Sequence, residues 1–140
     1  MAPLLTFVIL VCTLAASVLI HFEALQHLHG RSLRGRRGIL IAFMLLLGVH
    51  LLEVGLFGTA FYGATKWIQI GSFAGERSMS FMDYYYYAAE TYSSLGYGDI
   101  YPVGEIRLLA SVTPIIGILL LGWSSSFLFT IAHAGRAERT

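Results

Sequence analysis

Three stretches of this chain are too long and too apolar for an ordinary water-soluble fold. Leu108 to Ala132 runs 25 residues without a charged side chain, and Ile39 to Thr65 runs 27 with only Glu53 and His50 as ionisable interruptions. Pro3 to Ile20 adds 18 uncharged residues. A helix crosses the hydrocarbon core of a bilayer with about 20 such residues. The sequence therefore predicts an all-α membrane protein with three transmembrane helices. Composition agrees: of 140 residues, 56% are hydrophobic and 12% charged, where a soluble domain carries about 25% charge. The length leaves room for one domain. A net charge of +1 argues against nucleic acid, which calls for a basic face of many Lys and Arg. Cys12 has no second cysteine to pair with, which excludes an internal disulfide and a cysteine-rich metal site.

The first span, with its small residues Ala15-Ala16-Ser17, has some features of a cleaved leader. No Lys or Arg precedes it, however, and it is longer than the roughly 7–15 apolar residues of a leader. It reads as a retained helix, with His21 to His29 as its interfacial extension. Arg31, Arg34, Arg36 and Arg37 lie in the linker 30–38, and Arg136 and Arg139 lie in the tail after the third span. Both basic segments are expected on the cytoplasmic side. That puts the N-terminus outside, the C-terminus in the cytoplasm and residues 66–80 on the outer face. The four linker arginines suit a solvated turn. Anionic lipid is their second reading, at about 1 kcal/mol per basic residue near a charged surface.

Between the second and third spans, residues 81–93 contain no Gly or Pro. A helix there would be about 18–20 Å long, too short to cross and suited to a re-entrant half-helix. Ser80 is its expected N-cap, with Asp83 as a capping-box partner. Ser94-Leu95-Gly96-Tyr97-Gly98-Asp99 follows. Its alternating glycines open backbone angles closed to other residues, so successive carbonyl oxygens can turn to one side. Four such loops around an axis would replace the hydration shell of a cation. The partly negative C-terminal end of the short helix would favour a cation as well.

The stretch from Tyr86 through Glu90-Thr91 and Ser94-Leu95-Gly96-Tyr97-Gly98-Asp99 to Tyr101-Pro102-Val103 resembles the pore signature of bacterial potassium channels. The resemblance implies a tetrameric channel with an outer helix (39–65), a pore helix (81–93), a selectivity filter (94–99) and an inner helix (105–132). It implies a multi-pass protein of the inner membrane, with no enzymatic activity and no cofactor beyond permeant K+ ions. By position, K+ would be held at Ser94, Leu95, Gly96 and Tyr97, with Gly98 completing the filter. Serine and leucine stand where the family has threonine and valine, which bears on how strictly K+ is preferred. The resemblance also implies that Glu90 and Asp99 brace the filter as a carboxyl pair, where like charges oppose double ionisation. Tyr86 and Tyr87 match aromatic positions around the filter, whereas Tyr84, Tyr85 and Tyr92 read as packing or interfacial residues. Gly117 falls on the family's hinge glycine, and Pro114, just before it, removes a backbone donor. A gating bend and simple close packing are both open there.

Two features lie outside the resemblance. Gly55, Thr59 and Gly63 form a small-residue ladder on the second span, suited to close helix approach. His50 and Glu53 are an i, i+3 pair on the same span, where a bare charge near mid-bilayer costs about 2.5–3.5 kcal/mol. Interhelical bonding, pH sensing and a metal or proton-relay site are the readings. The metal reading lacks a third ligand in the sequence. The rivals to a K+-selective channel are a weakly selective cation channel and a non-conducting intramembrane protein centred on His50 and Glu53.

Overall fold

A computed structural model of the chain describes residues 2–31, 33, 35–75 and 79–137. It has four helices and one two-stranded antiparallel sheet: α1 (Ala2–His29), α2 (Gly35–Lys66), β1 (Gly71–Ala74), α3 (Phe81–Tyr92), β2 (Tyr101–Gly104) and α4 (Arg107–Ala137). Helices α1, α2 and α4 are each long and apolar enough to cross a membrane. At 1.5 Å per residue they exceed the roughly 30 Å core. The short α3 does not, and it packs between α2 and α4.

Helix α2 begins four residues before the apolar run, so Arg36 and Arg37 stand exposed in its first turns. Arginine is a good helix former and needs no burial there. Arg34 lies outside the described residues. Arg31, exposed at the end of α1, bonds His27 across one helical turn, Nη2 to Nε2, at 2.7 Å.

The side of α1 facing the rest of the chain is its more polar side. Thr6, Leu10, Thr13, Ser17, His21, Leu25 and Leu28 are buried in steps of three and four, while Leu4, Phe7, Val8 and Leu19 are exposed. Lipid solvates apolar side chains as well as protein does, so a membrane helix turns small and hydroxylated residues toward its neighbours.

The sheet was not expected within the loop 66–80. It pairs Gly71 with Gly104, Ser72 with Val103, Phe73 with Pro102 and Ala74 with Tyr101. The strands clip the chain before α3 to the chain after the glycine loop. Behind the clip, Phe73 packs edge-on against Tyr87 (centroids 4.7 Å), Tyr84 (5.5 Å) and Phe61 (5.8 Å), a geometry that adds about 0.5–1.5 kcal/mol per pair beyond area burial.

At the start of α3 the Asp83 carboxylate accepts the Ser80 amide at 2.6 Å and the Ser80 hydroxyl at 2.7 Å. These two donors hold the Asp83 carboxyl below its ordinary value of 3.8. A lowered folded-state pKa stabilises above the unfolded value, and that contribution is lost as pH falls through the folded one. Asp83→Asn should therefore lower the melting temperature at neutral pH, and the difference between the two proteins should shrink as pH falls through the folded-state value of the carboxyl. Equal melting temperatures at neutral pH would discount the cap.

The close approach of α2 to α3 falls on Gly58 rather than on the Gly55, Thr59, Gly63 ladder. A β-carbon on Gly58 would stand 3.1 Å from the Tyr85 α-carbon. Thr59 is exposed and bonds the Gly55 carbonyl of its own helix at 2.7 Å.

Candidate functional site

The glycine loop leaves α3 with its amides gathered onto one residue. The Leu95 and Gly96 amides donate to the Glu90 carbonyl at 2.8 and 3.2 Å, and the Tyr97 amide donates to Glu90 Oε2 at 3.1 Å. In a planar trans peptide the N–H of one residue and the carbonyl of the residue before it point in opposite directions. Three consecutive amides turned toward Glu90 therefore turn the carbonyls of Ser94, Leu95 and Gly96 away from it. The backbone angles alternate to allow this, with φ of 61° at Ser94, 55° at Gly96 and 79° at Gly98. Glycine takes such angles without steric cost, whereas Ser94 bears a cost of about 1–2 kcal/mol. The loop stays open on its carbonyl side: residues 93–99 are all exposed within the single chain.

Glu90 and Asp99 flank this loop with separate donors. Glu90 is buried and takes the Tyr97 amide, while exposed Asp99 accepts the Tyr86 hydroxyl at 3.0 Å and its neighbour Ile100's amide at 3.1 Å. The link from Tyr86 to Asp99 ties α3 to the far end of the loop. Tyr87 instead lies buried among Phe61 and Phe73. Gly75, at φ 107°, closes the clip: a β-carbon there would fall 1.9 Å from the Asp99 carbonyl oxygen.

A second polar constellation lies immediately behind the loop. His50 and Glu53 are joined by three partners from three other helices. His21 Nδ1 of α1 meets Glu53 Oε1 at 3.0 Å, and His50 Nδ1 meets Glu53 Oε2 at 3.1 Å. The Tyr92 hydroxyl, from the last turn of α3, donates to Glu53 Oε2 and lies 2.9 Å from His50 Nδ1. The opposite ring nitrogens converge on one hydroxyl of α4: Ser124 Oγ is 3.0 Å from His50 Nε2 and 3.3 Å from His21 Nε2. Glu53 and His21 are fully buried, and Tyr92 and Ser124 nearly so.

This cluster adds one residue and corrects one expectation. His21 was not expected in it; α1 continues through His21 unbroken and presents it to Glu53. Tyr92 is not a plain packing residue, because its hydroxyl reaches the acid. The available sequence signal was the spacing of Thr13, Ser17 and His21, a polar seam at four-residue steps in an otherwise apolar helix. Nothing comparable singled out Ser124 from Ser125 and Ser126.

Helix α4 runs unbroken past Pro114. Gly117 presses directly on α3: a β-carbon there would lie 2.0 Å from the Tyr92 carbonyl oxygen. Contact with the end of the short helix is thus what demands a glycine at 117. The same helix end bears the Tyr92 hydroxyl on the buried cluster and begins the exposed loop.

The short helix, the alternating loop behind it and the two long flanking helices form one continuous unit. Searches of curated proteins and of solved structures returned no match. A family model described as "Ion channel" matches residues 49–133, which cover α2 from just before His50, the short helix, the loop and nearly all of α4. With that match spanning more than half of its length, the chain belongs to this ion channel family.

Proposed function

We propose that four copies of the chain surround one axis and conduct K+ passively through Ser94, Leu95, Gly96, Tyr97 and Gly98. The observation that carries this reading is the backbone of the loop. Its amides are held by Glu90, so the carbonyls of residues 94–96 point to the open side, where nothing among the described residues covers them. One loop is a quarter of a carbonyl cage, and closed cyclic symmetry completes it as a homotetramer. Such a pore needs no catalytic group and no cofactor other than the permeant ions. The arginine-bearing ends of the spans support a cytoplasmic C-terminus, an outer N-terminus and an inner-membrane location. The arginines also suit anionic headgroups at that face.

The test is K+ flux from proteoliposomes, wild type beside Gly96→Ala, with Na+ competing. A β-carbon at Gly96 meets nothing within 4 Å inside the chain, but the residue must hold φ 55°. At about 1–2 kcal/mol per residue, four copies strain the ring by about 4–8 kcal/mol. Selective flux in wild type and none in the variant is expected. Equal Na+ and K+ flux would favour the weakly selective channel, which the absent methyl at Ser94 and unbranched β-carbon at Leu95 make the second reading. Undiminished flux in Gly96→Ala would overturn the filter assignment.

A further inference from the structure

We propose that His21, His50 and Glu53 form an intramembrane binding site for one divalent transition-metal ion of the zinc class, located behind the pore loop. One ligand atom from each residue can be chosen so that all lie within 4.8 Å of one another. Around a tetrahedral ion with bonds of about 2.0–2.1 Å, ligand atoms stand roughly 3.3 Å apart. A contraction of about 1.5 Å or less therefore closes the site.

Two features distinguish this cluster from a chance meeting of polar groups. Both Nδ1 atoms already face the same carboxylate, one on each oxygen. Both Nε2 atoms face the Ser124 hydroxyl. Metal-bound histidines use one nitrogen for the ion and donate the other N–H to an outer partner that fixes the ring. A serine oxygen has two lone pairs, so Ser124 can accept both Nε2–H groups while the Nδ1 atoms and Glu53 hold the ion. The Tyr92 oxygen lies beside two of these three groups, His50 Nδ1 and Glu53 Oε2.

Ligand type selects the ion. Two imidazoles with one carboxylate suit Zn2+, Co2+ or Ni2+, whereas Mg2+ and Ca2+ favour oxygen shells. A divalent ion with one carboxylate and two neutral rings leaves a net +1, partly countered by the negative C-terminal end of α3. Through Tyr92, occupancy would bear on the residue that starts the loop.

The probe is Co2+ added to the full-length chain, purified in detergent with a tag free of histidine. Binding is read by the visible absorption of tetrahedral Co2+ and by equilibrium dialysis, and Zn2+ should displace it. The expectation is one ion per chain, lost by about 100-fold or more in His21→Gln and in Glu53→Gln. Ser124→Ala should weaken binding by about 10–100-fold, the range for outer-shell partners. The triple variant of the exposed histidines 27, 29 and 133 should bind as wild type does. The proposal is overturned if wild type binds no Co2+, if the bound ion shows only octahedral absorption, or if binding disappears with the exposed histidines. Wild type and the triple variant keep the result decisive even where a cluster variant fails to fold. No part of the measurement depends on conduction, so it stands or falls apart from the channel reading.

Discussion

Gly117→Ala should be among the most damaging substitutions of a single hydrogen for a methyl in this chain. The new carbon would sit 2.0 Å from the Tyr92 carbonyl oxygen and 2.9 Å from its carbonyl carbon. Both are backbone atoms, so no side chain can swing aside, and α3 and α4 must separate. Overpacking typically costs about 1–3 kcal/mol, and contact with a helix end puts this case at the upper limit or beyond. The gain of about 1 kcal/mol from replacing a helical glycine does not offset it. A drop of at least about 2 kcal/mol in unfolding free energy in detergent is expected, accompanied by lost flux. Gly48→Ala, where a β-carbon meets nothing within 4 Å, should be neutral or slightly stabilising. An unaltered Gly117→Ala would mean that α4 does not pack on the end of the short helix.

Glu53→Ala is the second large effect. The acid takes hydrogen bonds from His21, His50 and Tyr92, and alanine leaves all three without it. Membrane hydrogen bonds average about 0.6 kcal/mol and reach about 1.7, so three give about 2–5 kcal/mol. Removing one partner of a buried ion pair in water-soluble proteins costs about 3–5 kcal/mol, an overlapping range. Glu53→Gln should lose less than Glu53→Ala, because its amide oxygen still accepts. Combining Glu53→Ala with His21→Ala should cost less than the sum of the two, with a coupling of about 0.5–3 kcal/mol, measured by unfolding of all four proteins. Strict additivity would show that α1 and α2 do not share the acid.

The long helices, the short helix and the loop were legible because each rests on a local rule. Bilayer thickness sets the apolar run, Ser80 and Asp83 mark the start of α3, and the alternating glycines mark the loop. What escaped depended on distant residues meeting. Glu90 could be placed beside the filter, but its capture of three loop amides depends on the fold of the turn. The pairing of residues 71–74 with 101–104 joins segments 30 positions apart that carry no hairpin signal. The partners of His50 and Glu53 come from positions 21, 92 and 124, and only a fixed arrangement of four helices makes them neighbours. Gly58 was passed over for the regular ladder beside it, because spacing says which glycines share a face and not which face meets α3.

The contact between His21 and Glu53 also bears on how the chain enters its membrane. Synthesis delivers α1 before α2, so the imidazole is in the bilayer when the acid arrives. A helix carrying one carboxyl group inserts at a penalty of about 2.5–3.5 kcal/mol, and a waiting partner lowers that penalty at the moment of insertion. The first helix would then serve the second as a resident chaperone, retained in the finished protein. Its work would begin before the pore loop has been made.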